Sequence, residues 1–230
     1  MKVTKTPIGN IASVDNDWYT IEIQNNGQYA EQVNIDGILK PIIQSSKIML
    51  DIGSHVGYHS IAYAKMNPNV KVIAFEPQPE IYSLLTFNIK ENGYEDRISA
   101  MNVCVGHKQV KTTLAESPKM HIENVYNMGG RGIGDGNIIT NMITIDSLNL
   151  ERVDYMKIDV EGAEHLVIAG AEQTIKKFKP IIYFEDLNTL DTAYIEKIGA
   201  SHIPNSYELL KSYGYNSFQN IAYSNVLATV

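Results

Sequence analysis

The chain has 230 residues, 44% hydrophobic and 20% charged, with a formal net charge of −7. These proportions exclude disorder and collagen-like repeats, and the acidity disfavours a partner held by bulk phosphate electrostatics. No apolar run approaches the ~20 residues of a bilayer span. The N-terminal stretch also lacks the apolar region of a signal peptide, so a cytoplasmic protein is expected. The single cysteine, Cys104, lies in the apolar run MNVCVG and reads as a buried thiol in a reducing compartment.

Residues 1–46 read as an N-terminal cap segment, with an extended pair around Trp18–Gln24 and a short helix over Glu31–Ile43. Residues 47–230 read as one α/β domain. KIMLDIGS (47–54) is an apolar run ending in turn residues, as a buried parallel strand does. A helix over Tyr58–Met66 follows, then the strand KVIAFEP (71–77). The next helix sets Ile81, Leu84, Leu85 and Ile89 on one face and ends at Asn92-Gly93. ISAMNVCVG (98–106), VDYMKIDVEG (153–162) and PIIYFEDL (180–187) read as the third to fifth strands. Between the last two lies a helical stretch over Ala163–Phe178, interrupted at Gly170. A helix over Ser206–Tyr213 and a hairpin of Tyr215–Tyr223 with Asn225–Val230 close the chain. Repeated β-α-β units imply a mostly parallel sheet with helices on both faces. The stretch Ser117–Asn137 carries five glycines between Gly129 and Gly136 and reads as a lid or connector, with Arg131 able to meet a phosphate or carboxylate.

The first strand and its turn read Asp51-Ile-Gly53-Ser54-His55-Val-Gly57. Glycines in such a turn let a ligand approach the backbone at a helix N-terminus. An acid in place of the first glycine of G-x-G-x-x-G repels a pyrophosphate and suits a cationic ligand. S-adenosylmethionine, with an ammonium and a sulfonium, is such a ligand. Glu76-Pro77 ends the second strand, where an acid can accept both ribose hydroxyls.

LDIGSHVGYHSIAYA, VIAFEPQPEIYSLLTFNIKENG and DYMKIDVEGAEHLVIAGAEQTIKKFKPIIYFE resemble FkbM-type S-adenosylmethionine-dependent methyltransferases over about residues 30–190. The resemblance implies the class I methyltransferase (Rossmann-like) fold, with a seven-stranded sheet whose last strand is antiparallel. It implies methyl transfer to a hydroxyl of a sugar, glycan precursor or small natural product. It places Asp51, Gly53 and Gly57 in the cofactor turn and Glu76 at the ribose, with Asn102 and Val103 bordering the adenine. Ser54-His55 stands where the family usually has Ala-Asn, so His55 can alter how the methionine end is held or reach the acceptor. The cofactor set is thus Asp51, Gly53, Ser54, His55, Gly57, Glu76, Pro77, Asn102 and Val103.

Asp159 and Glu161 end the fourth strand and Glu185 the fifth, at the sheet edge where open α/β folds bind ligands. If the strand stayed regular, Lys157, Asp159 and Glu161 would share one side. Asp159, Glu161 and Glu185 are the expected catalytic residues, one of them removing the hydroxyl proton. The alternatives are that they hold a divalent cation, or that Glu161 only caps the next helix. No metal ligand is assigned. His59, His165, His121 and His202 read as surface or core histidines, and Lys176, Lys177 and Lys179 as complements to a helix dipole. The rival functions are an RNA ribose 2′-O-methyltransferase, a nicotinamide-dependent oxidoreductase and a cofactor-binding subunit without catalysis.

Overall fold

The computed structural model describes residues 2–118, 124–187 and 192–230. His121 and part of the Ser117–Asn137 stretch lie outside the described residues.

The chain opens with a hairpin of β1 (Lys2–Thr6) and β2 (Gly9–Ser13), followed by helices α1 (Trp18–Asn26), α2 (Gln32–Asp36) and α3 (Leu39–Ser45). Then come β3 (Ile48–Ile52), α4 (Tyr58–Met66), β4 (Lys71–Phe75), α5 (Pro79–Glu91) and β5 (Ile98–Met101). A side branch of β6 (Cys104–Val105), β7 (Val110–Leu114) and β8 (Ile138–Ile143) follows. The second half runs β9 (Tyr155–Ile158), α6 (Glu164–Ala169), α7 (Glu172–Phe178), β10 (Ile181–Glu185), α8 (Thr192–Lys197), α9 (Ser206–Ser212), β11 (Ser217–Asn220) and β12 (Asn225–Thr229).

Seven strands form the main sheet in the order β11-β12-β10-β9-β3-β4-β5. The five strands from β5 to β10 are parallel, and β12 runs antiparallel to both β10 and β11. This is the seven-stranded class I methyltransferase arrangement. The strand order reverses between β3 and β9, which opens a crevice beyond their carboxyl ends. Alternation along the strands divides the core in two. Met49, Tyr155 and Tyr183 face α4, α5 and the N-terminal segment. Leu50, Ile52, Met156, Ile158, Ile182 and Phe184 face the layer of α6, α7 and α9.

The N-terminal segment differs from its sequence reading. Trp18–Asn26 is helical, not extended. The alternation in WYTIEIQ mimics a strand, but Asp17 caps the helix by accepting the Thr20 N–H, and Thr20 and Ile23 are buried together one turn apart. The extended pair lies earlier, in β1 and β2. The expected helix over Glu31–Ile43 is two helices, parted at Gly37. This segment joins the core through Ile8, Ile11, Ile23, Ile35, Leu39 and Ile43. The buried Asn88 of α5 also bonds both the N–H (2.7 Å) and the carbonyl (2.8 Å) of Ala12. Covered on both sides, α4 buries every residue from Tyr58 to Ala64, which is why it has no amphipathic stripe.

The third strand also differs: 98–106 is not continuous. It breaks at Asn102-Val103, and Cys104-Val105 leave the main sheet to pair with Met142-Ile143 in the order β6-β8-β7. Asn102 Nδ2 fastens the break by donating to the Glu76 carbonyl at 2.8 Å. No helix among the described residues is long and apolar enough to cross a membrane.

Candidate active site

The crevice beyond β3 and β9 is a cavity that receives the turn after β3, the end of β4, the Asn102-Val103 break, the acids after β9 and β10, and residues of the N-terminal segment. The glycine turn leaves little freedom at two positions. Gly53 has φ +80, and a Cβ there would collide with the Asp159 carbonyl oxygen. Gly57, at φ +91, opens α4, and a Cβ there would come within 2.6 Å of Leu85 Cδ1. Ser54 Oγ ties the turn together by donating to the Asp51 carbonyl (2.6 Å) and accepting the Phe75 N–H (3.0 Å).

Gly53, Ser54, His55, Glu76, Pro77 and Val103 line the cavity, whereas Asp51 and Gly57 are buried behind its wall and Asn102 is exposed outside it. Asp51 is fully buried: its Oδ2 accepts from Ser60 Oγ at 2.5 Å, and its Oδ1 lies 3.8 Å from Lys157 Nζ. The strand's two-residue period explains this, because Asp51 shares a sheet face with Met49, the face covered by α4. Glu76 accepts the N–H groups of Gln78 (2.9 Å) and His55 (3.0 Å), and burial pushes its carboxyl up to about 7. Gln78 Oε1, buried beside it, has no hydrogen-bond partner. His55 sits at φ +50, with its ring edge-on to Tyr19 at 4.8 Å. Burial pushes Cys104 up to about 12, an inert thiol in the cavity wall.

Asp159, Glu161 and Glu185 converge at the centre, with one oxygen from each within 4.8 Å of the others. Regular alternation does not bring them together, since β9 ends at Ile158 and Glu161 turns back through φ +59. Lys157 Nζ lies 2.9 Å from Asp159 Oδ2 and 3.3 Å from the Gly53 carbonyl oxygen. Burial alone would lower the lysine's pKa, but Asp159, Asp51 and Glu31 drive it above its ordinary value. Glu161 and Glu185 are both pushed well up, by burial first and then by the charge of Asp159. The turn after β9 is capped by Glu164 instead of Glu161: it accepts the N–H groups of Val160 (3.0 Å) and Gly162 (3.1 Å).

Several groups missed by motif reading complete the site. Tyr19, Tyr29 and Tyr58 pack their rings together at 4.7–6.4 Å along one wall. Glu31 and His59, 3.3 Å apart, lie beside them. Nothing in the spacing of these residues marks them, because helices α1 and α2 reach the cavity only through tertiary packing. The Gly129–Gly136 stretch lies against β7, with Ala115 N–H bonded to Gly132 O and Gly134 N–H to Thr113 O, both at 3.0 Å. From there Gly129, Arg131, Gly132 and Ile133 form one side of the cavity.

Sheet order, glycine turn and acid-lined crevice together define the class I methyltransferase fold. The sequence match narrows this: a profile described as Methyltransferase FkbM domain covers residues 51–217, and the chain belongs to that family. The cofactor that this family implies is S-adenosylmethionine. Methyltransferase sdnD of Sordaria araneosa is 24% identical over 162 residues, covering 57% of this chain. The match spans 62% of that relative's length. The crystal structure of methyltransferase FkbM from Methylobacillus flagellatus KT superposes with a TM-score of 0.52 at 14% identity, covering 80% of this chain and 44% of that one. The O-methyltransferase from Bacillus cereus, solved in complex with SAH, gives 0.53 at 15% identity over 96% of this chain and 92% of that one. At these identities the two structures share the fold.

The cavity fits the cofactor. Gly53 lets the turn pack directly against the Asp159 carbonyl at the cavity wall, Glu76 retains acceptor capacity, and Gln78 Oε1 is a buried acceptor awaiting a donor.

Proposed function

We propose that the protein transfers a methyl group to a hydroxyl oxygen of a small polyhydroxylated acceptor such as a sugar, a glycan precursor or a natural product. The observation that carries this reading is the convergence of Asp159, Glu161 and Glu185 at the cavity centre. Bound S-adenosylmethionine supplies an electrophilic methyl group on a positively charged sulfur. Gly53, Ser54, His55, Glu76, Pro77 and Val103, which line the cavity, would hold it, with Glu76 as the acceptor for the ribose hydroxyls. Asp51 and Gly57 support those contacts from behind, and Asn102 does so through the Glu76 carbonyl.

The three carboxyl groups divide the remaining work. Asp159, steadied by Lys157 and 28% exposed at its side chain, accepts the proton that leaves the acceptor oxygen. Glu161 and Glu185, held protonated by burial and by Asp159, donate hydrogen bonds to neighbouring acceptor oxygens. Arg131, whose Nε is buried without a hydrogen-bond partner, offers a donor to an anionic group on the acceptor.

A second reading rests on the same oxygens, which are close enough for one divalent cation to bridge them and acidify the hydroxyl. The test is transfer of labelled methyl from S-adenosylmethionine to a panel of sugars and hydroxylated natural products, with and without a chelator. Chelator-resistant O-methylation supports Asp159 as base. Loss restored by a divalent ion supports the second reading, and transfer only to nitrogen or carbon refutes both.

A further inference from the structure

We propose that Glu31 receives the ammonium group at the amino-acid end of the cofactor, the role for which the sequence suggests Asp51. This rests on the reading of the cavity as the cofactor site. Asp51 is fully buried and does not line the cavity; its Oδ2 accepts from Ser60 and its Oδ1 lies 3.8 Å from Lys157 Nζ. Glu31 lines the cavity and is only 6% exposed. Its Oε2 accepts from Tyr183 at 3.1 Å and lies 3.3 Å from His59 Nε2, while Oε1 lies 3.4 Å from the Tyr29 hydroxyl. These partners fix the carboxylate. Although burial alone would raise its pKa, the nearby His59 ring, the Lys157 charge and the Tyr183 hydroxyl bring it down to about 2. Glu31 is therefore a buried anion at working pH.

Charge balance favours a cation there. Asp51, Asp159 and Glu31 surround the ammonium of Lys157, which lies nearest to Asp159, and His59 adds a second positive charge beside Glu31 only when it is protonated. The surroundings suit one as well. The Tyr29 ring stands 5.7 Å from Tyr58, 4.7 Å from Tyr19 and 6.3 Å from His59, so π faces crowd the same corner. His59, the second residue of α4, ties Glu31 to the helix that begins at the glycine turn. Glu22, also on the wall, is less suited: it accepts the Ala30 N–H at 3.0 Å, and burial with Glu31 nearby raises its pKa.

Calorimetric titration separates the contribution of the ammonium from that of the rest of the cofactor. Three ligands are compared on wild type and Glu31→Gln: S-adenosylhomocysteine, its deaminated analogue, and 5′-methylthioadenosine, which lacks the whole amino-acid end. Glu31→Gln should weaken S-adenosylhomocysteine by roughly 10- to 100-fold, the scale of a charged hydrogen bond, and leave methylthioadenosine within twofold. Wild type should prefer S-adenosylhomocysteine to the deaminated analogue by a similar factor, a measurement that does not depend on the variant folding. No such preference in wild type, or unchanged S-adenosylhomocysteine affinity in a folded Glu31→Gln, overturns the assignment while the cofactor site stands. Failure of wild type to bind any of the three overturns the cofactor site itself.

Discussion

Replacing Glu76 by Gln tests the cofactor site through its charge and its pH dependence together. Glu76 is 3% exposed and already accepts two backbone N–H groups, at 2.9 and 3.0 Å. The ribose hydroxyls would meet its remaining lone pairs, and such charge-assisted bonds contribute about 1.5–3 kcal/mol. Burial raises the carboxyl to about 7, so near neutrality the free protein holds a proton that two donating hydroxyls must expel. Binding then releases a proton and strengthens as pH rises. Between pH 8 and 6 the ionised fraction of a group with this pKa falls about tenfold, and affinity should fall with it. 5′-Methylthioadenosine is the ligand of choice, since it carries the ribose and no amino group of its own to titrate. Calorimetry at pH 6, 7 and 8 should give a tenfold slope in wild type and a flat profile in Glu76→Gln. The variant should bind roughly 10- to 150-fold more weakly at pH 8, with the gap narrowing about tenfold at pH 6. A flat wild-type profile together with unchanged affinity in the folded variant would remove Glu76 from the ribose and refute the reasoning.

Once an acceptor is in hand, Asp159→Asn should lower turnover by roughly 10²–10⁴-fold, the range for a general base, and barely change S-adenosylhomocysteine affinity. Turnover near wild type would move the base to Glu161, Glu185 or His55. Gly53→Ala forces a side chain into φ +80 and against the Asp159 carbonyl. It should cost more than ~1 kcal/mol in thermal or urea denaturation, and an unchanged midpoint would mean the turn can shift. The Gly129–Gly136 stretch should gain amide-exchange protection when acceptor and S-adenosylhomocysteine are both present, read at Ala115 and Gly134, whose N–H groups join it to β7. Equal exchange in both states would make it a connector only.

Much of this architecture is local, and local features can be read along the chain. The runs at 48–52, 71–75, 155–158 and 181–185 are almost wholly apolar because each strand is buried on both faces. The glycine turn announces itself through Gly53 and Gly57, and the acids at 76, 159 and 185 mark strand ends. The N-terminal segment was harder to read. WYTIEIQ has the alternation of a strand, and only the Asp17 cap and the packing of Ile23 make it a helix. The run 98–106 carries no sign that the chain leaves the main sheet at Asn102-Val103, because the partner that draws it away, β8, lies some forty residues downstream. The direction of each acid was also beyond the sequence. Asp51 turns to the covered face, where Ser60 and Lys157 engage it, and Glu161 reaches its neighbours only through a left-handed backbone. Glu31 stands at the start of the expected helix, 22 residues before Gly53, and no motif there marks it as part of the cavity wall. A motif records which residue types follow one another along a few residues. Which charges face one another across a cavity depends on strand register, on helices packed from distant segments and on single backbone angles, and those are settled only when the whole core closes.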